Sequence, residues 1–574
     1  MTGYETHEHD VLVIGAGGAG MRAAIEASAH GARTALVCKS LLGKAHTVMA
    51  EGGIAAALGN VVAEDDWRVH MQDTLSGGKY LNNWRMAELH AKEAPDRVRE
   101  LEQWGGVFDR TPEGLMSQRA FGGHTNKRLV HIGDRTGLEL IRTLQDKVVH
   151  QGIDVFMECT ITRLLTDGDR VVGAFGYWRP TGDYVVFHAG AVVLATGGTG
   201  RCYPITSNSW EYTGDGQALA YAVGAELIDM EFVQFHPTGM VWPPGVAGLL
   251  VTEAVRGEGG ILRNSEGERF MERYDPERME LSTRDIVSKA IYTEVHEGRG
   301  SPRGGVFLDV SHLPADVLAK KLPSMIHQFK ELAGVDITKE PMEVGPTCHY
   351  IMGGIAVDAE SGASAVPGLF AAGECSGGLS GATRLGGNSL SDLLVFGRRA
   401  GERAAEHARE HGPTHLDGEQ ARDAAAEMDG YFGEGENPYA LHAELQQVMQ
   451  RNVGIYRDAA GLRTAIAALE EFARRARDVR VPPGERRYNP GWHLCRDLQN
   501  MIVCARAIAN AALLREETRG SHSRLDFPEP SEEWSRWNIA VSRDGDGMSV
   551  ERRPAVVLDE FVPLVAARRS KEGY

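Results

Sequence analysis

The chain has 574 residues, 42% of them hydrophobic and 24% charged, with a formal net charge of −18. That length and balance suit a soluble globular enzyme of three or four structural units. So large an excess of carboxylates argues against a general nucleic-acid binder, and makes any gathering of His and Arg around one ligand more telling.

The first residues, MTGYETHEHD, are acidic where a signal peptide would be basic, and no run approaches about 18 apolar residues. No transmembrane segment is expected, so any membrane contact comes through a partner. Asp10–Ile14 reads as a short buried strand, GAGGAG at 15–20 as a turn, MRAAIEASAHGA as a helix and TALVC at 34–38 as a second strand. This is a β-α-β unit of dinucleotide half-site size, and Gly15, Gly17 and Gly20 fit the GxGxxG spacing that sets a pyrophosphate at a helix N-terminus. The second strand ends in Cys38-Lys39-Ser40 and lacks the acid that bonds a ribose hydroxyl, which weakens an NAD reading.

Two later strands, AVVLATGGTGR at 191–201 and GLFAAGE at 368–374, also end in glycine-rich turns. A distant segment is therefore expected to return to the same sheet. The reading is α/β: a doubly wound nucleotide domain in two segments, 1–238 and 349–410, with an inserted α+β cap at 239–348. The polar stretch EHGPTHLDGEQ after residue 410 marks a boundary to a helical domain, 411–540. There Leu441, Leu445 and Val448, then Leu462, Ile466 and Leu469, repeat at the spacing of a one-sided apolar face and are read as core. Arginines 474, 475, 477, 480, 486 and 487 are read as a solvated face. The last piece, 541–574, begins as short strands and ends in a basic tail.

Seven cysteines, at 38, 159, 202, 348, 375, 495 and 504, are odd in number and never spaced CxxC. Neither a disulfide framework nor an in-chain iron–sulfur or other metal site is indicated. Five glycine-rich segments each carry an Arg or His: HPTG at 236–239, TEAVRGEGG at 252–260, STRD at 282–285, CHYIMGG at 348–354 and ATRLGGNSL at 382–390. Arg grips carboxylates bidentately and glycine lets backbone approach a ligand, so together they read as one cationic pocket for a small dianion.

These segments, with KAHTVMAEGGIAAALGN at 44–60, FGGHT at 121–125, NPYALHAELQ at 437–446 and TRGSHSRLDFPE at 518–529, follow one family's order. The chain resembles the flavoprotein subunit of succinate dehydrogenase and fumarate reductase along nearly its whole length. The resemblance implies FAD bound covalently through His46, although Ala45 stands where Ser is usual. It assigns further FAD contacts to Lys39, Ser40, Thr47, Gly52, Gly53, Asp215, Glu374, Asn388, Ser389 and Leu390. His236 and Thr252 would hold one carboxylate of a four-carbon substrate and His349 with Arg384 the other, with Phe121 packing on it. Arg284 would move the proton, relayed by Glu253 and Arg256.

The resemblance further implies an iron–sulfur subunit, together with a membrane anchor, passing electrons to a quinone. It sets the complex on the cytoplasmic face of a bacterial membrane. Glu51 stands where the better-known succinate dehydrogenases have Gln and several fumarate reductases have Glu, which leaves direction open. Ser380 and Thr383 replace the common His and Asn beside Arg384. The competing readings are a fumarate reductase, L-aspartate oxidase, in which a His at position 46 is not expected, and a flavin-bearing scaffold without turnover.

Overall fold

The apolar runs Val11–Ile14, Thr34–Val37 and Ala191–Leu194 are buried along their whole length. Strands covered on both sides read in this continuous way because parallel sheets carry helices on each face. In the computed structural model, which describes residues 4–412, 415–416, 418–545 and 547–571, they form the centre of a seven-stranded sheet. Its order is Asp154–Phe156, Thr34–Val37, Glu5–Ile14, Tyr184–Leu194, Arg170–Trp178, Cys159–Asp167, and Leu369–Ala371 also pairs with Tyr184–Leu194. The pairings around Glu5–Ile14 are parallel, and Cys159–Asp167 with Arg170–Trp178 adds an antiparallel hairpin. The return of residues 369–371 to this sheet is the expected one.

Register decides where the site lies. Ile14 is level with Val37 and Leu194, and Leu194 with Ala371. Strands that finish together open their turns onto one crevice, the usual ligand position in such sheets. The helices Gly18–Ala29 and Asn388–His411 pack on each other over one face of the sheet.

A second, antiparallel sheet, Val233–Met240, Met342–Ile351, Val306–Asp309 and Ile261–Arg263, has a core of its own with the helix Arg284–Glu294. Its two long strands run through positions 238/239 and 348/349, so His236 and His349 sit on the cap's own sheet. Beyond it, Leu441, Leu445, Leu462 and Leu469 are fully buried, with Val448 and Ile466 at the edge of the same core. The helices there begin at Asn437, Asp458 and Asn489, whose side chains accept from first-turn N–H groups that have no partner within the helix. Three of the six arginines in the run are ion-paired near the surface, Arg474 to Glu471, Arg475 to Glu436 and Glu444, and Arg486 to Asp429, while Arg480 donates to the Arg477 and Val479 carbonyls.

The last hairpin, Trp537–Asp544 with Gly547–Pro554, begins before residue 541 and adds to a small sheet with Leu227–Ile228. The helix Val562–Lys571 follows, and its Arg568 reaches Asp73 at 2.6 Å. Pro413, Thr414 and Asp417 of the expected boundary, and the end of the basic tail at 572–574, lie outside the described residues. All seven cysteines are buried and free. Among the described residues no helix is long and apolar enough to cross a membrane.

Candidate active site

The level strand ends open onto one cavity of about 1550 Å³, counting its open mouth, between the first sheet and the cap. Its floor depends on two close approaches. A Cβ on Gly15, whose φ is 112°, would stand 2.2 Å from the Ala195 carbonyl oxygen, and one on Gly20 would stand 1.7 Å from that of Gly15. Both neighbours are backbone and cannot move aside. Glycine there lets the helix Gly18–Ala29 start hard against the strand ends, its first N–H, on Gly18, donating to Thr47 Oγ1 at 3.4 Å, and a helix N-terminus so placed is the arrangement that receives a pyrophosphate.

At that end Lys39 donates to Thr213 at 3.0 Å, Asp215 at 3.0 Å and Asp497 at 2.6 Å. Burial pushes the Lys39 ammonium down, but the two carboxylates outweigh it and leave its pKa raised. Glu374, just past the strand Leu369–Ala371, accepts from the Ile351 amide at 3.1 Å, and burial pushes its carboxyl up to about 8.

Midway, three imidazoles follow one another. The His46 and His349 ring centres are 6.3 Å apart, those of His349 and His236 5.1 Å, and Tyr212 meets His46 edge to face at 4.9 Å. Burial, then Arg384, pushes His46 down to about 4. Burial and Arg284 hold His236 and His349 well below the usual imidazole range. The row is therefore neutral at physiological pH. His349 Nδ1 lies 2.8 Å from Ser207 Oγ, and His236 Nδ1 3.0 Å from the Thr238 carbonyl, so Nε2 is the free edge of each.

The far end carries the charge. Arg284 opens the helix Arg284–Glu294, and its Nε donates to Glu253 at 2.9 Å. Burial pushes the Glu253 carboxyl up, yet Arg284 and Arg256 outweigh it and leave its pKa lowered. Arg256 stands behind, 3.6 Å from the same carboxylate, and donates to the Glu280 carbonyl. Arg384 lies 4.2 Å over the Tyr350 ring and donates to Ser389 at 2.8 Å. Gln234 joins the two cations, its Oε1 accepting from Arg284 at 3.1 Å and from Arg384 at 3.3 Å. Burial, then Arg284, pushes Arg384 down to about 10. Two guanidiniums and neutral imidazoles at one end of the cavity are a receptor for carboxylates.

All the expected site residues except Gly20, Arg256 and Asn388 line this cavity. These three stand one layer back. Gly20 is closed off by Gly15, Arg256 by Glu253, and the Asn388 amide turns away to bond His70 and Thr74, both at 3.0 Å. Sequence reasoning missed Gln234, Tyr350, Tyr212, Asn208 and Asp497. Gln234 had a signal, since it stands two positions before His236 on one strand and period two puts both on one face. Thr383, the departure beside Arg384, accepts from Gln234 Nε2 at 2.9 Å. Glu51 lines the cavity too, and burial followed by Asp134 pushes its carboxyl up to about 8.

Residues 10–390 match the FAD binding domain model and residues 442–568 the fumarate reductase flavoprotein C-terminal model. A fumarate reductase (CoM/CoB) chain of Methanothermobacter marburgensis is 48% identical over 544 residues, 94% of this chain and 98% of that one. The succinate dehydrogenase flavoprotein subunit of Rickettsia bellii is 37% identical over 590 residues, 98% of each. The chain belongs to the succinate dehydrogenase and fumarate reductase flavoprotein family. Among solved structures, Mycobacterium smegmatis Sdh1 in complex with UQ1 superposes with a TM-score of 0.90 at 53% identity, over 99% of this chain and 98% of that one. As a family member this flavoprotein is an FAD-dependent oxidoreductase, and the glycine floor and level strand ends fit that cofactor.

Proposed function

We propose that this flavoprotein is the catalytic subunit of a succinate:quinone oxidoreductase, with FAD held covalently by His46. The observation that carries the reading is the single cavity in which His46 faces a cluster of His236, His349, Arg284 and Arg384. Bound FAD supplies the two-electron acceptor for succinate. His349 and Arg384 hold one carboxylate and His236 with Thr252 the other, which fixes the two central carbons between them. Phe121 closes the wall against water.

Arg284 takes the proton and hands it to Glu253, with Arg256 next in line. A guanidinium releases a proton only where positive charge and dryness oppose its charged form. Arg384 across Gln234 and Arg256 behind Glu253 place positive charge around the buried Arg284, while Glu253, accepting from its Nε at 2.9 Å, gives the proton its exit. Oxidation of succinate is supported by relatives named succinate dehydrogenase flavoprotein subunit, whereas the Methanothermobacter relative, named a fumarate reductase, supports the reverse reaction as the second reading. Relatives named as flavoprotein subunits support two kinds of partner, an iron–sulfur subunit together with a membrane anchor, at the cytoplasmic face of a bacterial membrane.

The test is the complex extracted from membranes, assayed with succinate and quinone and then with fumarate and a reduced donor. Acid-precipitated chain should keep its flavin fluorescence. Release of all FAD together with oxidation of L-aspartate would replace the proposal by an aspartate oxidase. Bound FAD with no turnover of either acid would leave a scaffold.

A further inference from the structure

Asn208 touches His46 at the ring nitrogen on which flavin attachment would depend. Its Nδ2 donates to the His349 carbonyl at 2.9 Å and lies 3.3 Å from His46 Nε2. The carbonyl fixes which end of the amide faces inward, because the amide oxygen in that place would meet another acceptor. The second N–H is therefore aimed at Nε2, which must accept, and an imidazole that accepts at Nε2 carries its proton on Nδ1.

Three further features hold this state. His46 Nδ1 is buried and has no hydrogen-bond partner, so no contact at that nitrogen competes with Asn208 in setting the tautomer. The Asn208 backbone N–H donates to Thr206 Oγ1 at 3.1 Å, and Thr206 is itself tied to the Cys348 carbonyl at 2.9 Å, which fixes the turn. Tyr212 packs against the ring and limits its rotation. At 3.3 Å this contact is long for a hydrogen bond, and Nε2 gives it up when its single lone pair forms the flavin bond, so Asn208 acts before attachment by setting the tautomer.

We propose that Asn208 is a positioning residue for covalent flavin attachment, holding His46 in the tautomer whose Nε2 lone pair forms the bond. This rests on the reading that His46 is the attachment point. In that step Nε2 bonds to a methyl carbon at the dimethylbenzene edge of FAD. One methyl C–H and the imidazole N–H leave as protons to water, and the electron pair of the broken C–H bond passes to the isoalloxazine. Fumarate or dioxygen then takes up that pair with two protons and restores the oxidised ring.

The test compares wild type, Asn208→Asp and Asn208→Ala, each purified as the complex. Total bound FAD is read by absorbance, the covalent fraction by acid precipitation, and the adduct by the mass of the His46 peptide. Asn208→Asp keeps the shape but accepts where Asn donates, so it draws the imidazole proton onto Nε2. Covalent FAD should fall about tenfold or more while total FAD is kept, as expected for reversing one buried hydrogen bond. Asn208→Ala removes the donor without adding charge and should fall by a smaller factor. Wild-type covalent loading in both variants would overturn the proposal, and so would loss of all FAD from both, which would make Asn208 structural. A wild-type chain that releases its FAD in acid would instead defeat the His46 reading itself, and this inference with it.

Discussion

Gln234 shows how single side chains set the chemistry here. Its one carbonyl oxygen holds two guanidiniums together, so Arg284 opposes the charge on Arg384 in a dry pocket. The pairing leaves two roles for Arg284, proton carrier or third carboxylate clamp, and kinetics separates them. In Arg284→Lys, kcat is expected to fall by about 10²–10⁴-fold. The Kd of an unreactive dicarboxylate should shift by less than about tenfold; equal losses in both would make the residue a clamp. Asp392, buried near Arg384, gives a pH signature. Burial pushes its carboxyl up to about 7, and Arg384 offsets this only in part. An unfolded carboxyl ionises near 3.8. Between these values the folded chain holds the extra proton, so stability falls as pH rises from about 4 to about 7 and the whole penalty applies above that. Asp392→Asn should therefore raise Tm relative to wild type above pH 7, with the gain vanishing near pH 4.

At the scale of elements, the site is made by ends and edges. Gly20 lets the helix Gly18–Ala29 meet the sheet, and a methyl group there has backbone in its way. Gly20→Ala should cost about 1–3 kcal/mol, as overpacking does. The flavin-to-protein ratio after purification should drop with it; unchanged Tm and FAD content would show that the helix shifts freely. The β-α-β unit, the strands at 191–194 and 369–371 and the helices carrying Leu441 and Leu462 were legible because local pattern and burial agree in them. The bulged pairing of Val233–Met240 with Met342–Ile351 was not. Bulges re-aim side chains through partner strands far away in sequence, and no local spacing announces them. The helix Pro490–Leu514 was read only as part of a helical domain, yet it delivers Asp497 to Lys39.

For the whole molecule, the helical part also helps to build the cofactor end, since Asp497 and Asn500 of the helix Pro490–Leu514 both engage the Lys39–Asp215 pair. Removing the proposed redox partners should nonetheless spare the first half-reaction. The chain expressed alone should reduce a soluble dye with succinate, while quinone reduction falls to background and returns when the complex is reassembled. Quinone turnover by the isolated chain would refute a separate electron exit. The sequence by itself determined the glycine floor, the apolar strands, the family and the charged and imidazole residues that meet in the cavity, because these depend on local sterics and on motifs that travel as short segments. Only the tertiary structure decided that Gln234 bridges Arg284 and Arg384, that Asn208 meets His46, and that Gly20, Arg256 and Asn388 stand behind the wall. Those relations join residues from different sheets and helices, and a hydrogen bond forms between neighbours in space, whatever their separation along the chain.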